Sequence, residues 1–185
     1  MIYLGGYAVI SEDNYIADAA GHMPQALKNQ AEWDFFQNQL NQYDVIILGR
    51  KSHVLTPNRK GRKRLILTSS ISHVHSEGKD TIYWNPESIS FADLASNYYP
   101  AMKSFAVTGG QAVFDYFLNA KQGYDAFYLS RLRNVHLIEG RAIFSVCQNS
   151  SKIPEEIFDE AGYQGGKQVW LDPNASVVKY TPKLL

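Results

Sequence analysis

The chain has a single cysteine, Cys147, which excludes an internal disulfide and any multi-cysteine zinc site. A reducing, cytoplasmic setting is therefore expected. Neither charge is in excess, with 18 basic residues against 18 acidic ones, so no global field draws the protein to nucleic acid or to an anionic membrane. Long apolar runs are missing too. A membrane-spanning helix needs about 20 consecutive apolar residues, whereas the strongest run, at 45–48, stops at Gly49 and Arg50. No basic region precedes an apolar stretch at Met1-Ile2-Tyr3-Leu4, which reads as a first strand and not as a signal peptide. His22, His53, His73, His75 and His136 form no H-E-x-x-H arrangement, and no metal is expected. Neither a G-x-S-x-G elbow nor a G-x-x-x-x-G-K loop occurs, so serine-hydrolase and P-loop chemistry lack their parts. The expected partner is a small-molecule substrate, with no nucleic acid and no membrane.

What is present is the composition of one folded domain over residues 1–185, since 45% hydrophobic and 13% aromatic residues argue against disorder. A chain of this length hides roughly 70% of the surface its unfolded form exposes, enough for a core without staples. Hydrophobic periodicity predicts a first strand over 2–10, closed by Ser11-Glu12-Asp13-Asn14, and a helix over 25–42, where no Gly or Pro follows Pro24. Apolar runs of strand length follow at 44–48, 65–68, 81–84, 104–108 and 126–132. Helices are expected between them at about 50–55, 88–97 and 111–121, the second introduced by Asn85-Pro86-Glu87-Ser88. This alternation predicts an α/β fold with a mainly parallel, twisted sheet and helices on both faces. Residues 168–171 and 176–180 flank Asp172-Pro173-Asn174 and predict a C-terminal antiparallel hairpin, whose exposed edge offers a pairing surface for a homodimer.

Three strand ends carry groups suited to phosphate. Val107-Thr108-Gly109-Gly110-Gln111-Ala112-Val113-Phe114 runs from an apolar strand into paired glycines and then into helical spacing. Glycines let a backbone approach a ligand, and the free N–H groups of a following helix attract an anion, worth about 0.3–1 kcal/mol. A tight strand-to-helix turn would use the same residues. Gly49-Arg50-Lys51-Ser52 follows another buried-looking strand with two cations and a hydroxyl, and Thr68-Ser69-Ser70 ends a third with three hydroxyls. Ligands of open α/β sheets sit at the carboxyl ends of the strands, so the three ends predict one nucleotide site.

Residues 50–64 contain Arg50, Lys51, Arg59, Lys60, Arg62, Lys63 and Arg64 and no acid. Without interleaved aromatics they read as a solvated loop with one or two ligand-facing cations, and a nucleic-acid patch is the alternative. On the helix, Ala31-Glu32-Trp33-Asp34-Phe35-Phe36 sets two carboxyls among aromatics, where burial raises a carboxyl pKa toward the range a proton donor needs. At about 100° per residue Asp34 points with Leu27 and Ala31, and Glu32 between Phe35 and Phe36, which leaves both open.

Taken in order, these pieces resemble the dihydrofolate reductase-like superfamily, including the C-terminal reductase domain of the riboflavin-biosynthesis deaminase/reductase and its stand-alone relatives. The resemblance covers roughly residues 1–144. Asp44-Val45-Ile46-Ile47-Leu48-Gly49-Arg50-Lys51-Ser52 resembles the family's strand followed by Gly-Arg-x-Ser/Thr, and Val107-Thr108-Gly109-Gly110 its cofactor glycines. Residues 124–130 and Glu139-Gly140-Arg141-Ala142-Ile143-Phe144 are similar to its late strand and the glycine-containing loop after it.

The resemblance implies an NADPH-dependent reductase. Gly49, Arg50, Lys51, Ser52, Thr68, Ser69 and Ser70 would hold the adenosine phosphates, and Gly109, Gly110, Gln111, Ala112 and Val113 the pyrophosphate. Ala8 and Ile16 match positions near the nicotinamide. Glu32 is the implied helix carboxylate, because an acid followed four residues later by phenylalanine, here Phe36, resembles the folate-reducing members; Asp34 is the second choice. Lys60-Gly61-Arg62-Lys63 resembles a loop whose arginine grips the folate tail carboxylate, and Ser130 stands where a hydroxyl assists the acid. His22-Met23-Pro24-Gln25 has Gln where folate reductases usually present Trp, and Gln111-Ala112 stand where many have a third glycine and an arginine. Gly-Gly-x-x-Val/Leu-Phe is instead typical of the riboflavin-type reductases, which reduce the ribose of a phosphoribosylaminouracil. The implied substrate is of the pterin or aminopyrimidine type. Dihydrofolate reductase proper is the alternative, and a non-catalytic nucleotide or nucleic-acid binder is the alternative of another class.

Overall fold

The computed structural model describes residues 1–184. In chain order the first half holds β1 (Tyr3–Ile10), β2 (Tyr15–Ala17), a 3-10 turn (Gln25–Leu27), α1 (Gln30–Leu40), β3 (Val45–Gly49), α2 (Arg50–Leu55), β4 (Lys63–Leu67), β5 (His75–Glu77) and β6 (Thr81–Trp84). There follow α3 (Phe91–Tyr98), β7 (Ser104–Val107), α4 (Gln111–Asn119), β8 (Ala126–Leu132), β9 (Arg141–Ala142), α5 (Ser145–Asn149), α6 (Pro154–Glu160), β10 (Tyr163–Gly165), β11 (Val169–Asp172) and β12 (Ala175–Pro182). Ten strands form one sheet in the order β10-β12-β8-β1-β7-β3-β4-β6-β5, with β11 also on β12, while β2 and β9 form a separate ribbon. From β8 to β6 the strands run parallel; β12 and β5 are antiparallel additions at the two sides.

The near-continuous apolar runs of the central strands follow from cover on both faces. Val45, Ile47, Leu65 and Val107 point to a core closed by Phe91 and Leu94 of α3, Phe114 and Phe117 of α4, and Phe158 of α6. Ile46, Leu48, Ile66, Ala106 and Tyr7 point the other way, against Leu40 and Phe36 of α1. The α/β architecture with helices on both faces is thus as the alternation implied. The hairpin around Asp172-Pro173-Asn174 is also present, but β12 lies inside the sheet, bonded to β8 on one side and to β10 and β11 on the other. The exposed edge therefore belongs to β10 and β11, not to the second hairpin strand.

Several boundaries move for local reasons. The helix expected over 25–42 splits, because Asn29 has extended backbone and its side chain accepts the Glu32 N–H, so α1 starts at Gln30. Asn85-Pro86-Glu87-Ser88 closes on itself as a turn, with Ser88 Oγ donating to Asn85 O at 2.7 Å, and Ser90 caps α3 instead. His75 pairs with Tyr83 in the three-residue strand β5. The two- and three-residue strands β2, β5, β9 and β10 are too short for any periodic signal, and α5 and α6 were not foreseen.

Phe117 is fully buried, with the rings of Phe91 and Tyr116 at centroid distances of 5.1 and 4.9 Å. Truncation leaves a cavity, so Phe117→Ala is expected to lower unfolding free energy by about 3–5 kcal/mol in urea titrations. A loss below about 1 kcal/mol would contradict this packing.

Candidate active site

The carboxyl ends of β3 and β7 meet backbone to backbone. Gly49 N–H donates to Gly109 O at 3.0 Å and Thr108 N–H to Ile47 O at 2.9 Å, so the two glycine segments stand side by side. Gly109 has φ +140, a conformation that side-chain-bearing residues rarely adopt, and a Cβ on Gly110 would meet nothing within 4 Å. Gly110 precedes α4 without a side-chain cap, which leaves the first-turn N–H groups of Gln111 and Ala112 without intrahelical partners. Ser52 Oγ lies 3.9 Å from the position of a Cβ on Gly109. Val113 is buried and anchors the helix; Ala112 is exposed. Gln111 spends its side chain otherwise, donating to Ala142 O at 3.0 Å and so tying α4 to β9.

Beside this cradle, Arg50 Nη1 donates to Ser70 Oγ at 3.1 Å, and Ser70 Oγ lies 2.8 Å from Thr68 Oγ1. Ser69 is exposed next to them. Lys51 Nζ donates to Ala20 O. Among the described residues, Arg50 and Lys51 form no salt bridge. A floor of glycines, a helix N-terminus, cations without acids and three hydroxyls fit a dinucleotide's phosphates in chemistry and in open space.

The two candidate acids part company. Glu32, in the first turn of α1, is 7% exposed, and burial pushes its carboxyl from 4.5 up to about 7, with the Ser130 hydroxyl pulling against the rise. Ser130 is itself buried and stands beside Val9 of β1 in register, one residue past Ala8. Asp34 is exposed and accepts from Gln30 Nε2 at 2.8 Å. Phe36, one turn after Glu32, is half-buried with its ring 6.2 Å from that of Tyr7. Ala8 and Ile16 are half-buried against the core on the α3 and α4 side.

Arg62, in the loop before β4, reaches the C-terminal end of α1, donating to Gln37 Oε1 at 3.0 Å and Asn41 Oδ1 at 2.6 Å, both neutral acceptors. Not all of the basic segment is solvated loop: Arg64 is 7% exposed in β4, donating to Thr56 O at 2.7 Å and contacting His53 Nδ1 at 3.1 Å. Arg141, from β9, was not singled out in sequence. Its signal was only its place next to Gly140 in the loop resembling the family's.

Glu32 has a folded-state pKa above its unfolded one, so the native protein holds a proton that the unfolded chain releases between pH 4.5 and about 7. Stability therefore falls as pH rises through that window, by on the order of 3 kcal/mol when complete. Glu32→Gln is expected to match the wild type near pH 4 and to exceed it at pH 8 in urea denaturation. Parallel pH profiles for the two proteins would contradict the buried, proton-holding carboxyl.

No family model and no curated protein matches the sequence. Solved structures do match. The chain is similar, at 16% identity and a TM-score of 0.67, to a diaminohydroxyphosphoribosylaminopyrimidine deaminase/5-amino-6-(5-phosphoribosylamino)uracil reductase from Thermotoga maritima. That match covers 98% of this chain and 56% of the other, so the present chain spans little more than half of that protein's length. A riboflavin biosynthesis reductase from Saccharomyces is similar at 8% identity and TM-score 0.66, over 98% of this chain and 90% of its own. Dihydrofolate reductase from Enterococcus faecalis, complexed with NADP(H), is similar at 17% identity and TM-score 0.63, over 97% and 96% of the two chains. The chain carries the dihydrofolate reductase-like fold.

Proposed function

We propose that this chain is an NADPH-dependent reductase of the riboflavin-biosynthesis type, acting on an aminopyrimidine of the 5-amino-6-(5-phosphoribosylamino)uracil class. The observation that carries the reading is Glu32: a buried carboxyl that keeps its proton to about pH 7, on the helix α1 that packs against the sheet whose strand ends carry the glycine and cation cradle. The similarity to a uracil reductase and to an NADP(H)-bound reductase supports it.

In this reading Gly109, Gly110 and the first turn of α4 receive the pyrophosphate, with Ser52 beside them, and Arg50, Thr68, Ser69 and Ser70 receive the adenosine end. When bound, the nicotinamide supplies a hydride to an electron-poor carbon of the substrate. Glu32 holds a proton at its carboxyl and delivers it to a basic atom of the substrate, while Ser130 keeps that carboxyl oriented. Burial of Glu32 and Ser130 excludes water, which sustains the raised pKa. Burial among neutral groups is the reason the proton is available near neutrality.

Arg62 favours a second reading, dihydrofolate reductase proper. It is an arginine with only neutral partners, in the loop before β4, bonded to Gln37 and Asn41 at the C-terminal end of α1 and suited to a tail carboxylate. Arg62→Ala should then weaken a folate bearing that tail far more than a pyrimidine lacking it.

The test is NADPH oxidation with the phosphoribosylaminouracil and with dihydrofolate as substrates. Turnover of the former is expected, with Glu32→Gln losing at least about 100-fold in kcat. Because the protonated carboxyl is the active form, kcat/KM should be level below about pH 7 and fall above it. Turnover of neither substrate, or a Glu32→Gln protein as fast as the wild type, would overturn the proposal.

A further inference from the structure

The N-terminal ends of β1, β7 and β8 lie at the end of the sheet opposite the glycine cradle. A cavity of about 530 Å³ opens there, between the start of β1, α3 and the turn that leads from α3 into β7. Small-molecule sites have volumes of roughly 300–1,000 Å³. The apolar wall comes from Ala95 and Tyr99, 1% and 7% exposed, and from half-buried Ile2 and Met102. Ligands of open α/β sheets sit at the carboxyl ends of the strands, so this cavity, at the amino ends, is separate from the site described above.

Two opposite charges line the cavity without meeting. Lys103, just before β7, has a fixed backbone: its N–H donates to Asp44 Oδ2 at 2.7 Å, and its carbonyl accepts from Tyr3 N–H at 2.8 Å. Asp125, just before β8, accepts Leu4 N–H through Oδ2 at 2.7 Å, and its own N–H donates to Leu4 O at 2.9 Å. Both residues are thus anchored to β1, one from each side, about two strand spacings or roughly 10 Å apart. Neither forms a salt bridge among the described residues. By contrast Lys63 and Asp80, which line a smaller neighbouring cavity of about 150 Å³, pair with each other at 3.8 Å. A ligand with one charge of each sign satisfies both Lys103 and Asp125 through charge-assisted hydrogen bonds, while an apolar body covers Tyr99, Ile2 and Met102.

We infer that the cavity at the amino ends of β1, β7 and β8 binds a small zwitterion with an apolar body, of the class of an apolar α-amino acid. Lys103 receives its carboxylate and Asp125 its ammonium group. The site uses no residue of the cradle and does not involve Glu32, so it stands independently of the cofactor reading.

The test is a nitrogen-15 NMR titration of the full chain with four probes. These are L-phenylalanine, 3-phenylpropanoate, which lacks the ammonium group, phenethylamine, which lacks the carboxylate, and glycine, which lacks the apolar body. L-Phenylalanine is expected to shift amides at 92–103 and 122–126 with a dissociation constant of about 1 mM, the affinity that a ligand of its size reaches at modest efficiency. Each of the other probes should bind at least about tenfold more weakly, as expected for a lost charge-assisted contact or lost apolar burial. Lys103→Met and Asp125→Asn should each weaken L-phenylalanine by about tenfold as well. Both variants keep the fold, because the Lys103 side chain makes no bond in the protein and an asparagine oxygen still accepts from Leu4 N–H. Asp125→Asn should leave 3-phenylpropanoate binding unchanged. No shift in these two segments at roughly ten times the expected dissociation constant would overturn the site. Equal binding of L-phenylalanine and 3-phenylpropanoate, or variants that bind L-phenylalanine as tightly as the wild type, would overturn the zwitterion. Shifts confined to the glycine cradle would overturn the placement.

Discussion

Everything in the candidate site depends on where β7 enters the sheet. It lies between β1 and β3, so the chain that leaves β1 through α1 skips a place, and the strand that fills the place arrives from α3 on the other face. Connections then depart to opposite faces: α1 packs with Tyr7 and Ile46, α4 with Val107 and Phe105. At such a divergence a crevice opens at the carboxyl ends of the strands. Here the crevice is floored by Gly49 and Gly109, joined by one backbone hydrogen bond.

The electrostatics of the crevice are unbalanced in a consistent way. On the α1 side a carboxyl is buried deeply enough to stay protonated near neutrality. On the cradle side Arg50, Lys51 and Arg141 are exposed without acids. Each arrangement costs stability that a packed aromatic core offsets, with rings such as Phe117, Phe127 and Phe158 buried beneath it. In the proposed function, a neutral acid and unmatched cations serve a reaction that moves a proton beside a polyanionic ligand.

Much of this was legible in the sequence, and what was not has physical causes. Strands whose two faces are both covered read plainly as apolar runs, and α2 and β8 carry their expected bounds. The choice between Glu32 and Asp34 was not legible from helical angles, because those angles were counted from Leu27. Leu27 belongs to a 3-10 turn that Lys28 and Asn29 separate from α1, so its direction does not carry over to Asp34. The capping Asn29 was the available signal. Arg64 was hidden at the end of a basic run, although it directly precedes the apolar Leu65-Ile66-Leu67 with which it forms β4. Pro154-Glu155-Glu156 is a readable helix start, with proline and two acids in the first turn of α6. The placing of Lys103 and Asp125 on one cavity is tertiary and has no sequence signature.

The central claim is that a proton-holding carboxyl and a nucleotide cradle share one cleft. It is tested most directly by carbon-13 NMR titration of the Glu32 carboxyl, assigned by its loss in Glu32→Gln, with and without NADPH. The expected result is a midpoint near 7 in the free protein that moves upward when the anionic nucleotide binds. A midpoint at the ordinary 4.5, unmoved by NADPH, would contradict it.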